Sequence, residues 1–280
     1  MISLVGIGSA GSNIVELFKE NKEYRYYKLN TTVEKNTAHE YKLKHFDTPE
    51  EYEDHIPKLK RLFKDMDDHV QVFVCGASRC SNYTLGILQQ IRDKKIDIFY
   101  IKPDTELLIG IPKLQENAVF RVLQEYARSG LFNSFTIFSN PRLEEIIGDV
   151  PIKKYFETIN KSIYYSIHYK NLFDHTQPII GNVTSPSEVQ VIRAIGQLDT
   201  NRIEEKWYFD LDMARDVCYY FCISKEKLEN DGALHQKIID RLKQKPKNAF
   251  KNITYAVYES PYETDFGFCV AHTNAIQENP

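Results

Sequence analysis

Apolar residues in the first half of the chain come in short continuous runs separated by amphipathic stretches. Ile2-Ser3-Leu4-Val5 leads into the turn Gly6-Ile7-Gly8-Ser9-Ala10-Gly11, and Ile14, Val15, Leu17 and Phe18 follow in a helical pattern. Tyr26-Tyr27-Lys28-Leu29 and the runs at 70–75, 96–101 and 135–138 read as further strands, the most apolar of them buried on both faces of a parallel sheet. Between them, Thr48-Pro49-Glu50-Glu51 reads as a helix start. Tyr52, Ile56, Leu59, Phe63 and Met66 would share one face, with a kink or late start at Pro57. Leu85, Leu88 and Ile91 mark another helix, and Ala118, Val122, Leu123 and Tyr126 a third. The alternation predicts an α/β fold, a Rossmann-like doubly wound parallel sheet with ligand loops at the strand C-termini.

The texture then changes. Ile152, Tyr155, Phe156, Ile159, Ile163 and Ile167 form one long apolar stripe, a helix long enough to traverse a domain. Pro178, Gly181 and Pro186 interrupt it, and a helix is expected to restart over 182–198. Strands at 217–223, 253–258 and 266–271 and a helix at 234–242 predict a smaller C-terminal α+β sheet domain. The expected division is a nucleotide-binding domain over 1–150, a central helix over 151–175 and the second domain over 176–280.

Composition narrows the function. A charged fraction of 27%, a hydrophobic fraction of 42% and a net charge of -3 are those of an ordinary globular protein, and argue against nucleic acid as the main partner. No apolar run reaches the roughly 20 residues of a membrane helix, and no signal-peptide layout opens the chain. A cytoplasmic location without membrane insertion is expected. The five cysteines (Cys75, Cys80, Cys218, Cys222 and Cys269) contain no CxxC pair and read as reduced, mostly buried thiols. Only 274–280 follow the last strand, which leaves no long recruiting tail.

The glycine turn carries the chemistry. Glycine supplies positive φ and lets backbone approach a ligand, and the helix start offers unpaired N–H groups to a phosphate. Gly6-x-Gly8-x-x-Gly11 is also the dinucleotide fingerprint, so an NAD-dependent oxidoreductase is one reading. That reading wants an acidic residue after the second strand to hold the ribose, and this chain has Asn30-Thr31-Thr32 there.

Gly6-Ile7-Gly8-Ser9-Ala10-Gly11-Ser12-Asn13 resembles the first phosphate loop of FtsZ, GVGGGGGN, and the order of elements resembles the tubulin/FtsZ superfamily over nearly the whole chain. Leu29-Asn30-Thr31-Thr32 is similar to the INTD loop, Phe138-Ser139-Asn140 with Leu143 to IPNDKL, and Ala214-Arg215-Asp216-Val217 to ARGV. Phe156 and Asn160 match the aromatic and Asn that open the central helix. Four residues apart, they share a helix face, so a base can stack on the ring while the amide bonds its edge. The plain alternative is a core ring and a solvated amide.

The departures matter equally. The signature GGGTG(S/T)G falls on Gly76-Ala77-Ser78-Arg79-Cys80-Ser81-Asn82, where only Gly76 and Ser81 survive. Arg79 is either a new phosphate contact or a solvated loop arginine. The catalytic NxDxxD falls on Asn182-Val183-Thr184-Ser185-Pro186-Ser187, with Thr184 and Ser187 in place of both carboxylates. Glu188, one place later, is the local candidate to orient water, or simply a helix first-turn residue.

The resemblance implies GTP or GDP as ligand, with Mg2+ a further candidate and no protein-only metal site. The expected binding residues are Gly8, Ser9, Ala10, Gly11, Ser12, Asn13, Asn30, Gly76, Ala77, Ser78, Ser81, Asn140, Phe156 and Asn160, with Arg79 the candidate that departs from the family pattern. The resemblance further implies self-association head to tail into filaments, with slow or absent hydrolysis. A nucleotide-free scaffold of the same fold is the competing reading.

Overall fold

The structure, a computed structural model, describes residues 1–183, 188–246 and 251–278. It divides into two compact units, one comprising 1–164 and 276–280, the other 165–275.

In the first unit the apolar runs become strands β1 (Ile2–Ile7), β2 (Tyr24–Asn30), β3 (Glu40–Lys42), β4 (His69–Cys75), β5 (Lys95–Lys102) and β6 (Ser134–Ser139). They lie side by side in the order β3-β2-β1-β4-β5-β6, every pair parallel. β1 and β6 are buried at every position, as strands covered on both faces must be. Helices α1 (Gly8–Glu16), α2 (Pro49–Asp54), α3 (Thr84–Gln89), α4 (Ile111–Arg128) and α5 (Asn140–Ile147) connect them. α6 (Tyr155–Asp174) follows; its residues 155–164 fall in the first unit and 165–174 in the second.

The register places the strand C-termini level with one another. Ile7 pairs with Leu29 and with Val74, Cys75 with Ile101, and Lys102 with Ser139. The residues just beyond, Gly8, Asn30, Gly76 and Asn140, therefore gather at one edge of the sheet.

Two sequence expectations are corrected here. Thr48 does cap α2 with a full capping box, its hydroxyl and the Glu51 carboxylate exchanging bonds with each other's backbone N–H. But the helix ends at Asp54, and the apolar stripe from Ile56 to Met66 is not helical. Pro57 cannot donate a helical hydrogen bond, and it drives the preceding residue out of helical dihedrals. The Gln90 amide secures the segment instead: Nε2 donates to the Pro57 carbonyl (2.9 Å) and Oε1 accepts from Leu59 N–H (2.8 Å).

The second correction falls in the second unit. The helix expected over 182–198 is absent among the described residues, which form β7 (Ile180–Asn182) and β8 (Ile192–Asp199). These join β9 (Glu204–Trp207), β10 (Asp216–Ile223), β11 (Asn252–Glu259) and β12 (Phe266–Thr273), with helices α7 (Lys225–Asn230) and α8 (Leu234–Gln244). β8, β12, β10, β11 and β7 lie in that order, with β9 on β8. Only β10 and β11 run parallel; the other pairs within the unit are antiparallel. One core layer gathers Val217, Tyr219, Phe221 and Ile223 of β10 against Ile238 and Leu242 of α8. No described helix is long and apolar enough to cross a membrane.

Candidate functional site

The first turn is built by backbone contact. Gly8 opens α1 at φ +74, a conformation that only glycine adopts freely. A Cβ on Gly6 would strike the Gly11 carbonyl, and a Cβ on Gly11 would strike the carbonyl of Phe73 on β4. These two glycines let α1 lie against β1 and β4, while Gly8 makes the turn. Gly8, Gly11 and Ser12 are buried, Ala10 is half-buried, and Ser9 and Asn13 are exposed. α1 has no side-chain cap and no acidic residue in its first turn, so its opening N–H groups face no built-in anion.

Asn30, 5% exposed at the end of β2, borders this turn. Its Nδ2 donates to Thr32 Oγ1 (2.8 Å) and Ser9 Oγ (3.3 Å), and its Oδ1 accepts from Thr31 N–H (2.8 Å). The amide thus organises its own loop.

The loop after β4 comes in beside it. Ser78 Oγ stands 2.6 Å from where a Cβ on Gly8 would lie. Ala77 and Ser78 are half-buried, and residues 79–83 form a short 3-10 helix (Arg79–Tyr83). Ser78 N–H donates to the Cys75 carbonyl (3.1 Å), and Ser81 Oγ donates to the Gly76 carbonyl (2.9 Å). Burial pushes the Cys75 thiol up to about 11, against the opposing pull of the Ala77 and Ser78 N–H groups. Arg79 is exposed and engages the imidazole of His45. Sequence reasoning missed His45 because it lies 34 positions away, outside any motif.

The third group lies where α5 and α6 begin. Asn140 follows β6, and its Oδ1 is buried with no hydrogen-bond partner among the described residues. One turn further on, the Tyr155 hydroxyl donates to Glu144 (3.0 Å) and ties the start of α6 to α5. Phe156 packs edge-on to Tyr155 at 5.1 Å between centroids, yet it is 68% exposed, while Asn160 is only 8% exposed. That is the reverse of a core ring beside a solvated amide. An open cavity of ≈ 590 Å³ lies nearby, lined by Glu144, Glu145, Gly148, Asp149, Val150 and Pro151. None of the expected nucleotide-binding residues line it, and its three carboxylates disfavour a phosphate.

Glu188 belongs to the second unit and is exposed. The positions Thr184 and Ser187, where the resemblance expects carboxylates, lie outside the described residues. Among the described residues, no group of three or more His, Cys, Asp or Glu is placed to hold a metal ion.

Sheet order alone does not discriminate between readings, since 3-2-1-4-5-6 is also the dinucleotide-binding order. Comparison with solved structures identifies the fold. The chain superimposes on a GTPγS-form protofilament of TubZ from Bacillus thuringiensis serovar israelensis with a TM-score of 0.72 at 12% identity, covering 99% of this chain and 87% of that one. The empty FtsZ dimer of M. jannaschii gives 0.64 at 14% identity over 97% and 88% of the two chains. GDP-bound monomeric CetZ1 of Haloferax volcanii gives 0.68 at 13% identity over 98% and 94%. No family profile and no curated protein matches the sequence. The chain has the tubulin/FtsZ fold.

Proposed function

We propose that this chain binds a guanine nucleotide at the strand C-terminal edge of its first unit and assembles head to tail into filaments. The observation that carries the reading is the third group: an exposed Phe156 ring, a buried Asn160 one turn on, and the unpartnered Asn140 oxygen. A buried acceptor without a donor costs about 1–3 kcal/mol, which a base N–H would recover. The ring offers that base a stacking face. The phosphates would lie over Gly8, Ser9, Ala10, Gly11, Ser12 and Asn13, bordered by Asn30 and by Gly76, Ala77, Ser78, Arg79 and Ser81. Mg2+, if it accompanies the nucleotide, would be held mainly by phosphate and water, as Mg2+ commonly is.

In this reading residues 1–150 form the nucleotide-binding body, 151–175 the central helix and 176–280 the second domain. The similar structures include TubZ protofilaments, which supports assembly of this chain through a repeating heterologous contact. Hydrolysis would be slow or absent, with Glu188 the candidate to orient water. Calorimetry with GTP, GDP, ATP and NAD tests the binding, and light scattering with and without GTP tests the assembly. Binding of NAD alone, or of no nucleotide at millimolar concentration, would overturn the reading.

A nucleotide-free scaffold is the second reading. It is favoured by the Gly76–Ser81 loop, whose Ala77 and Ser78 N–H groups are engaged by Cys75. Phosphate release from assembled protein, compared with Glu188→Gln, separates a slow enzyme from a binder.

A further inference from the structure

Ala77, Ser78, Cys80 and Asn82 carry side chains where the signature GGGTG(S/T)G has glycine, so this loop needs an outside hold on its shape. α4 supplies one. Gln115 Nε2 donates to the Ser78 carbonyl (2.9 Å) and to Ser81 Oγ (2.9 Å), and Ser81 Oγ in turn donates to the Gly76 carbonyl (2.9 Å). Ser81 is 2% exposed, so its bond to the Gly76 carbonyl is shielded from competing water. The base of the clamp is rigid. Glu116, next in sequence and fully buried, accepts from the Tyr100 hydroxyl (3.1 Å) and lies 3.6 Å from Lys102 Nζ, which anchors α4 to β5.

We propose that Gln115 is a positioning residue for the phosphate side of the nucleotide site, acting through Ser78 and Ser81; this rests on the nucleotide reading above. Two carbonyls that would repel an anion, those of Gly76 and Ser78, are tied inward by side-chain donors. Ser78 in turn borders Gly8, so release of the clamp lets the loop lean on the first turn. The effect must therefore scale with the phosphates and leave the base untouched.

The experiment is binding of guanosine, GDP and GTP to the parent, Gln115→Ala, Gln115→Met and Ser81→Ala, by calorimetry and, for the nucleoside, ligand-observed NMR. Gln115→Met keeps the volume and removes both donors, so it controls for packing. Each variant should bind GTP and GDP about tenfold more weakly, the scale of one lost hydrogen bond. Guanosine affinity should not change, and Gln115→Met/Ser81→Ala, which frees both carbonyls, should bind GTP more weakly than either single change. GTP affinity equal to the parent's in Gln115→Met overturns the clamp alone. So does a parallel fall for GTP and guanosine, which marks a general structural defect. A parent that binds none of the three ligands overturns the nucleotide reading, and the clamp's role with it.

Discussion

Two loops border the same edge of the first unit, and they are held by different means. The turn at 6–12 is shaped by backbone against backbone: Gly6 meets Gly11, and Gly11 meets the Phe73 carbonyl with no room for a methyl group. The loop at 76–81 is shaped by side chains, through Ser81, Gln115 and the Tyr100 hydroxyl that fills the space beside Gly76. The first arrangement leaves no room for a side chain at Gly6 or Gly11, because what each would meet is backbone. The second depends on side chains outside the loop, Gln115 and Tyr100, so its own residues can vary as long as those partners compensate. A loop that carries side chains at 77, 78 and 80 is held here by Gln115 on the neighbouring helix.

The largest expected effect breaks the first loop. Gly11→Val should destabilise the protein by about 3 kcal/mol or more, since the new side chain meets backbone that cannot move aside. Urea denaturation measures it, and a loss under 1 kcal/mol would mean that α1 can lift off β4 freely. Phe156→Ala should leave that midpoint nearly unchanged, because the ring is largely solvated, while weakening GTP binding by about 1–3 kcal/mol. Equal GTP affinity in parent and variant would remove the base from this face.

Acid should act on the other unit. Burial first, then nearby Arg193 and Lys170, push the His272 imidazole well below its usual 6.5. The unfolded chain protonates this histidine near 6.5 while the folded chain does not, so stability falls as pH drops below that value. The slope from this group is at most about 1.4 kcal/mol per pH unit. Denaturation at pH 7.5, 6.5 and 5.5 should show that fall, and His272→Gln should flatten it. An unchanged slope would locate the acid sensitivity elsewhere.

Two smaller effects sharpen the contrast between loops. Gly76→Ala should cost less in a Tyr100→Phe background than in the parent, because the atom it meets first is a side-chain hydroxyl. Additive costs in a double-mutant cycle would show that backbone crowding governs this loop as well. Arg79→Ala should weaken GTP by about two- to fivefold, the scale of an exposed ion pair, and the loss should shrink in high salt. No change at low salt would assign Arg79 solely to its contact with His45.

Local signals carried the sequence reading where structure is local. The glycine turn, the helix start at Thr48 and the long helix α6 are each written within one element, and each is present, although of the stripe on α6 Ile159, Ile163 and Ile167 are buried while Phe156 and the preceding Ile152 are exposed. The segment after Asn182 was not readable this way. Val191, Ala194, Ile195 and Leu198 satisfy a helical repeat, while Ile192, Ala194, Gly196 and Leu198 satisfy a strand's alternation. Pairing with β12, from Ile192 opposite Thr273 to Gln197 opposite Phe268, selected the strand. In the same way Tyr52, Ile56, Leu59, Phe63 and Met66 keep helical spacing through Pro57, and one missing N–H outweighs five well-placed apolar side chains.

For this protein, then, sequence alone determined the alternating strands and helices, the turn of Gly6, Gly8 and Gly11, and the pairing of Phe156 with Asn160 on one helix face. Those follow from backbone conformation and short-range periodicity, which neighbouring residues dictate. Only the tertiary structure decided that Phe156 faces water while Asn160 is buried, that β8 is a strand, and that Gln115, Tyr100 and His45 govern the loop at 76–81. Burial and hydrogen-bond partnership are properties of what lies opposite a residue in space, and no spacing along the chain records them.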